Sequence, residues 1–164
     1  MRYISSDTNI WIDFIVIQCL EYPFRLSYTY CMSRDAIEDE LLSPKESGQQ
    51  LLALGLEPVD ITDEELLLAI GYRNRYIKIS AYDAIALAIA KARGIILLTG
   101  DKSLRKAAQT EKVEFRGSLW ILDQLMENSL VTPDEYRAAL MALQKVNGSE
   151  VRLPSDEIRK RLDQ

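Results

Sequence analysis

Residues 80–104 read SAYDAIALAIAKARGIILLTGDKSL: a helix, a glycine stop, a buried strand and the start of a new helix. Ser80 is a good N-cap, which places Asp83 at the third helical position, where exposed N–H groups and the helix dipole favour a carboxylate. From Ala81 to Ala92 the helix is Ala, Ile and Leu on nearly every face, so it is expected to be buried rather than amphipathic. Gly94 stops it. Ile95 to Leu98 is a short apolar run of the kind buried on both faces of a parallel sheet. Asp101 follows Thr99 and Gly100 at the carboxyl end of that strand, where it can cap the next helix. Ligand sites of open α/β sheets lie outside the carboxyl ends of strands, so both aspartates sit where a ligand is met. Each is also an ordinary helix-start residue, and only the rest of the chain decides between the two roles.

Towards the N-terminus the same grammar repeats. Arg2 to Ser6 is a short strand, Asp7-Thr8-Asn9 stands at its carboxyl end, and Asn9 to Leu20 reads as an apolar helix interrupted by Asp13 and Gln18. Tyr22 to Met32 is aromatic and β-prone. Ser33 can cap a helix to Leu42, with Ala36, Ile37 and Leu41 facing inward and Glu40 beside them, while Glu38 and Asp39 face water. Ser43-Pro44-Lys45-Glu46 is a second helix start, running to Leu54-Gly55. Glu57 to Ile61 is a strand placed near an edge by Pro58. Thr62-Asp63-Glu64-Glu65 opens a helix through Ile70, and Tyr72 to Lys78 is a basic patch with interleaved aromatics leading into Ser80.

Beyond the central stretch, Lys102 to Gln109 is a helix and Val113 to Arg116 a last strand. Strand and helix alternate throughout, which argues a parallel sheet with crossover helices. After Gly117 the pattern is helical: Ser118 to Glu127, Tyr136 to Val146 opened by Thr132-Pro133-Asp134-Glu135, and Asp156 to Leu162 opened by Ser155. We therefore divide the chain into residues 1–117 and a helical extension, 118–164.

Composition bounds the chemistry. The 164 residues suffice for one domain with a real core. Cys19 and Cys31 match no metal spacing, which suits a reducing cytosol. The apolar run Ile10 to Leu20 is too short to span a bilayer. The chain has no histidine, which removes the usual general base and any Ser-His or Cys-His pair. A net charge of −5 argues against a broad non-specific grip on nucleic acid.

Four acids stand at the decisive positions: Asp7, Glu40, Asp83 and Asp101. Two unit charges about 4 Å apart repel by roughly 4 kcal/mol at an effective dielectric of 20. Converging carboxylates therefore need protons or a cation. Hard oxygen donors without His or Cys select Mg²⁺ or Mn²⁺, ions that serve phosphodiester chemistry.

Ser6-Asp7-Thr8-Asn9, Ile37 to Leu41, Tyr82-Asp83-Ala84 and Leu97-Leu98-Thr99-Gly100-Asp101, in this order, resemble the PIN-domain nucleases, particularly the VapC-type toxins of toxin–antitoxin pairs. The resemblance covers residues 1–117. It implies a three-layer α/β/α sandwich around a parallel sheet, metal-dependent ribonuclease activity, frequent homodimers and often a small antitoxin partner. By match, Asp7, Glu40, Asp83 and Asp101 become the catalytic metal ligands, with Asn9, Thr99 and Ser103 as supporting polar groups. Glu38 or Asp39 remains an alternative to Glu40. Arg73, Arg75 and Lys78 of the basic patch are the residues expected to contact substrate phosphates. Many members carry a further acid where this chain has Ser103. That departure keeps open a second reading, a catalytically impaired module that binds RNA or a protein partner. A nucleotide-binding α/β protein is a third, since Gly94 to Ser103 superficially resembles a P-loop.

Overall fold

The computed structural model describes residues 2–41 and 46–164. Among the described residues, Arg2–Ser6 (β1), Tyr28–Ser33 (β2), Glu57–Val59 (β3), Ile96–Leu98 (β4) and Phe115–Arg116 (β5) form a parallel sheet of order β3-β2-β1-β4-β5. Ile4 lies opposite both Tyr30 and Ile96, so β1 is central and its carboxyl end sits beside that of β4. Pro58, which has no N–H to donate, falls on the edge strand β3, as expected.

Alternation along the strands divides the core in two. Ile4, Tyr30, Met32, Ile96 and Leu98 point to one face, and Leu97 to the other. The first face is covered by Asn9–Val16 (α1), Arg34–Ala36 (α2) and Glu46–Leu54 (α3), and by Ser118–Glu127 (α7), Pro133–Val146 (α8) and Ser155–Leu162 (α9). The second is covered by Asp63–Arg75 (α4), Ala81–Arg93 (α5) and Lys102–Thr110 (α6). This is the expected three-layer α/β/α arrangement. α5 is buried along Ala84 and Ala86–Ala90, and Gly94 closes it in the left-handed conformation at φ 64°. Buried Ser5 is satisfied by the Ala86 carbonyl at 2.8 Å. Among the described residues no helix is long and apolar enough to cross a membrane.

Several expectations shift. α1 stops at Val16 rather than Leu20, because Gln18 turns left-handed (φ 59°) and the Cys19 N–H bonds back to Phe14 O. The stretch from Tyr22 begins as a 3₁₀ turn, Tyr22–Arg25, with β2 following only at Tyr28. Ser33 caps α2 as expected, accepting the Ala36 N–H at 3.1 Å, but Ile37–Leu41 continues as a π-turn. α3 begins at Glu46; the expected Ser43-Pro44-Lys45 start and Leu42 lie outside the described residues. α4 runs to Arg75, not Ile70, because Ala69 and Tyr72 extend its buried stripe. Ser155 is the first residue of α9 rather than its side-chain cap; its hydroxyl accepts from Asn147.

Candidate active site

The site begins with how β1 ends. The Asp7 N–H donates to Leu98 O at 3.1 Å, fastening the chain to β4, and α1 starts at Asn9. The Asp7 carboxylate is only 3 % exposed. Its Oδ1 accepts the Ile10 N–H at 2.9 Å and its Oδ2 accepts the Thr99 hydroxyl. Burial pushes the Asp7 carboxyl up to about 7, against those two hydrogen bonds, and the charges of Asp83 and Asp101 raise it further.

Thr99 connects two of the acids. Fully buried at the end of β4, it donates to Asp7 while its Oγ1 accepts the Asp101 N–H at 3.0 Å. Asp101 then caps α6 through Oδ2, accepting the Leu104 N–H at 2.8 Å. Asp83 and Ser80 form a reciprocal capping box: the Asp83 N–H donates to Ser80 Oγ at 3.1 Å, and Asp83 Oδ2 accepts the Ser80 N–H at 3.0 Å. Burial raises the Asp83 carboxyl, Asp101 adds to the rise, and the Ser80 bonds and the Arg73 charge oppose it.

Glu40 comes from the π-turn and is exposed, with Oε1 accepting the Thr8 hydroxyl at 2.7 Å. Its neighbour Asp39 accepts the hydroxyl of Tyr82, one residue before Asp83, so each of these two acids contacts a residue adjacent to one of the aspartates. Glu38 is exposed. Ser6, Asp7, Thr8, Ser33, Tyr82 and Asp83 line a crevice of about 10 Å³, room for roughly one water-sized occupant.

Among the described residues, no three acids stand as an assembled metal cage; Asp7, Asp83 and Asp101 each accept a backbone N–H at a helix start. The donor chemistry nevertheless fits a hard divalent ion. All the donors are oxygens, and the hydrogen bonds described above engage only one carboxylate oxygen each of Asp83, Asp101 and Glu40. The charges on Asp83 and Asp101 also act on Asp7 in the direction a cation would relieve.

The basic patch is divided by the longer α4. Arg73 faces the Asp83 side, Arg75 is tied to Glu111, and Lys78 lies in the loop before α5. Asn9 is exposed at the start of α1, and half-buried Ser103 follows Lys102 on α6. The sequence reading missed Arg105. Its Nε donates to Thr99 O at 2.9 Å, its guanidinium lies 5.5 Å from the centre of the Phe115 ring, and the Asp7 charge acts on it. The only signal in the sequence is its position one helical turn after Asp101.

No curated protein matches the chain. A family model described as a PIN domain matches residues 3–164, which takes in α7 to α9 as well as the sheet. Acids at the carboxyl ends of adjacent parallel strands and a match of that span lead to one conclusion: the chain belongs to the PIN-domain family, and its function is of the nuclease type.

Proposed function

We propose that the protein is a metal-dependent endoribonuclease, with Asp7, Glu40, Asp83 and Asp101 holding Mg²⁺ or Mn²⁺. The observation that carries this reading is the buried Asp7 carboxylate, joined through the Thr99 hydroxyl to the Asp101 N–H, with Asp83 lining the same crevice as Asp7. A bound divalent ion lowers the pKa of a water and offsets charge developing on a phosphodiester. The chain's own residues supply position. Thr99 and the Ile10 N–H fix Asp7, Ser80 fixes Asp83, the Leu104 N–H fixes Asp101, and Thr8 holds Glu40. Arg73 supplies positive charge beside Asp83. Water attacks phosphorus and the bond to the 3′ oxygen breaks, leaving a 5′-phosphate and a 3′-hydroxyl. Without histidine there is no ready base for internal 2′-OH attack.

Purified protein incubated with single-stranded RNA and Mn²⁺ is expected to yield 5′-phosphate ends; 2′,3′-cyclic phosphate ends would sink the reading. In the fuller form of this proposal the chain is a cytoplasmic toxin, working as a homodimer and neutralised by a small antitoxin. Residues 118–164 are then helices of the same compact unit, a reading supported by the 2.6 Å bond from the Ser118 hydroxyl to Asp13. Ser103 and the carboxylates turned into caps favour one alternative, a module that binds RNA without cutting it. Measurable binding with unchanged RNA under Mn²⁺ distinguishes it.

A further inference from the structure

A second cavity, of about 410 Å³, opens between the α4–α5 loop and α6, lined by Tyr76, Ile77, Lys78, Ile79, Lys102 and Lys106. Its size falls within the roughly 300–1,000 Å³ typical of small-ligand pockets. All three lysines are exposed, and among the described residues none pairs with a carboxylate within 4.0 Å. In a chain of net charge −5, three unneutralised lysines around one cavity mark a seat for an anion. Buried Ile79 lies against it, and Ile77 stands 86 % exposed at its rim, an apolar surface that a monoatomic or inorganic anion would leave unused.

The cavity lining adjoins the acids along the chain at two points. Lys102 and Ser103 directly follow Asp101, and Ile79 directly precedes Ser80, the partner of Asp83. A ligand spanning both must offer phosphate to the acids' ion and to the lysines, and a flat apolar body to Ile77 and Ile79. We propose that this cavity seats one nucleotide of a single-stranded RNA, adjoining the phosphodiester at the acids, with its phosphate on Lys102, Lys106 and Lys78 and its base on Ile77. The inference rests on the nuclease reading for its choice of RNA, but not on cleavage.

The test is fluorescence anisotropy of a short labelled single-stranded RNA in EDTA, where no divalent ion is available for turnover, over a range of salt. Lys102→Gln/Lys106→Gln is expected to bind roughly tenfold more weakly, with a salt slope smaller by about 0.7, the counterion release of the one phosphate. Ile77→Ala is expected to bind roughly threefold more weakly at an unchanged slope, because it removes apolar contact and no charge. Lys145→Gln on α8, away from the cavity, serves as the control. Melting curves of each variant verify folding. Wild-type affinity and slope in the double lysine variant overturn the proposal, as does a wild type that binds no RNA. Displacement of the RNA by polyglutamate as readily as by unlabelled RNA also overturns it, since the lysines then form a general anion site. RNA that binds through the lysines but stays intact under Mn²⁺ removes the nuclease reading and leaves the cavity assignment standing.

Discussion

A Cβ on Gly117 would run into Nη2 of Arg105, so the guanidinium of the residue that holds the Thr99 carbonyl occupies the space a side chain at Gly117 would fill. Gly117 has φ −128°, open to any residue, so its absent side chain matters for space and not for backbone conformation. Gly117→Ala is therefore expected to act by displacing Arg105. Arg105→Ala should destabilise by about 1–3 kcal/mol through the lost charged hydrogen bond to Thr99, and Gly117→Ala by less, since it displaces only the far end of a flexible side chain. The double variant should cost little more than Arg105→Ala alone. Urea denaturation of the four proteins checks this, and full additivity would contradict it.

A second relationship concerns pH. Asp13 is 7 % exposed within α1, and burial pushes its carboxyl from 3.8 up to about 6, opposed by the Ser118 hydroxyl. The folded state therefore holds this proton more tightly than the unfolded state. The group costs nothing below about pH 4; its penalty grows as pH rises towards 6 and is constant above, at most about 3 kcal/mol. Asp13→Asn keeps an acceptor for Ser118 and removes the charge. Its stability relative to wild type is expected to rise between pH 4 and 6 and stay higher at pH 8. Equal stabilities at pH 8 would contradict the assignment.

Glu40 and Asp39 can be separated by substitution. Glu40 is held by Thr8 of the β1–α1 junction, whereas Asp39 is held by Tyr82. If Glu40 is the ligand, Glu40→Gln should reduce Mn²⁺-dependent cleavage at least tenfold, on the order of a lost transition-state interaction. Asp39→Asn should change it far less. Initial rates at saturating Mn²⁺ decide, and the reverse order would transfer the role to Asp39.

These contrasts show where the sequence was readable. The capping boxes at Ser80 and Thr62, the Asp101 cap and the Gly94 stop are local, with donor and acceptor three or four residues apart, and each appears where the sequence places it. The apolar run of β4 is local in the same way, and the alternation of strands with helices argued the parallel sheet. Element ends set by packing were less visible: α4 continues to Arg75 because buried Tyr72 extends its stripe, and Gln18 ends α1 by turning left-handed. Least visible were contacts between distant segments. Arg105 with Gly117, Asp13 with Ser118 and the lysine cavity depend on how the elements pack, which no local spacing records. Of the candidate site, the helix-start positions of Asp83 and Asp101 were legible, while the contacts of Arg105 with Thr99 and of Thr8 with Glu40 were not.

The Asp7 proton gives ion binding a pH signature. With the carboxyl held at about 7, protons compete with a cation below that pH and leave the site above it. The rise in melting temperature produced by a fixed Mn²⁺ concentration is expected to be larger at pH 8 than at pH 6. An equal rise at both would show that Asp7 takes no part in holding the ion.

The most direct test of the central claim is the melting temperature with and without Mn²⁺, in wild type and in Asp83→Asn. Asparagine can keep the acceptor for the Ser80 N–H while removing one of the mutually repelling charges. At 100-fold excess over its dissociation constant a cation stabilises the native state by about 2.7 kcal/mol, which for a chain of this size raises the melting temperature by roughly 5–10 °C. That rise is expected in wild type, with its loss in Asp83→Asn and a variant more stable than wild type when no ion is present. No response to Mn²⁺ in wild type, or an undiminished one in the variant, would contradict it.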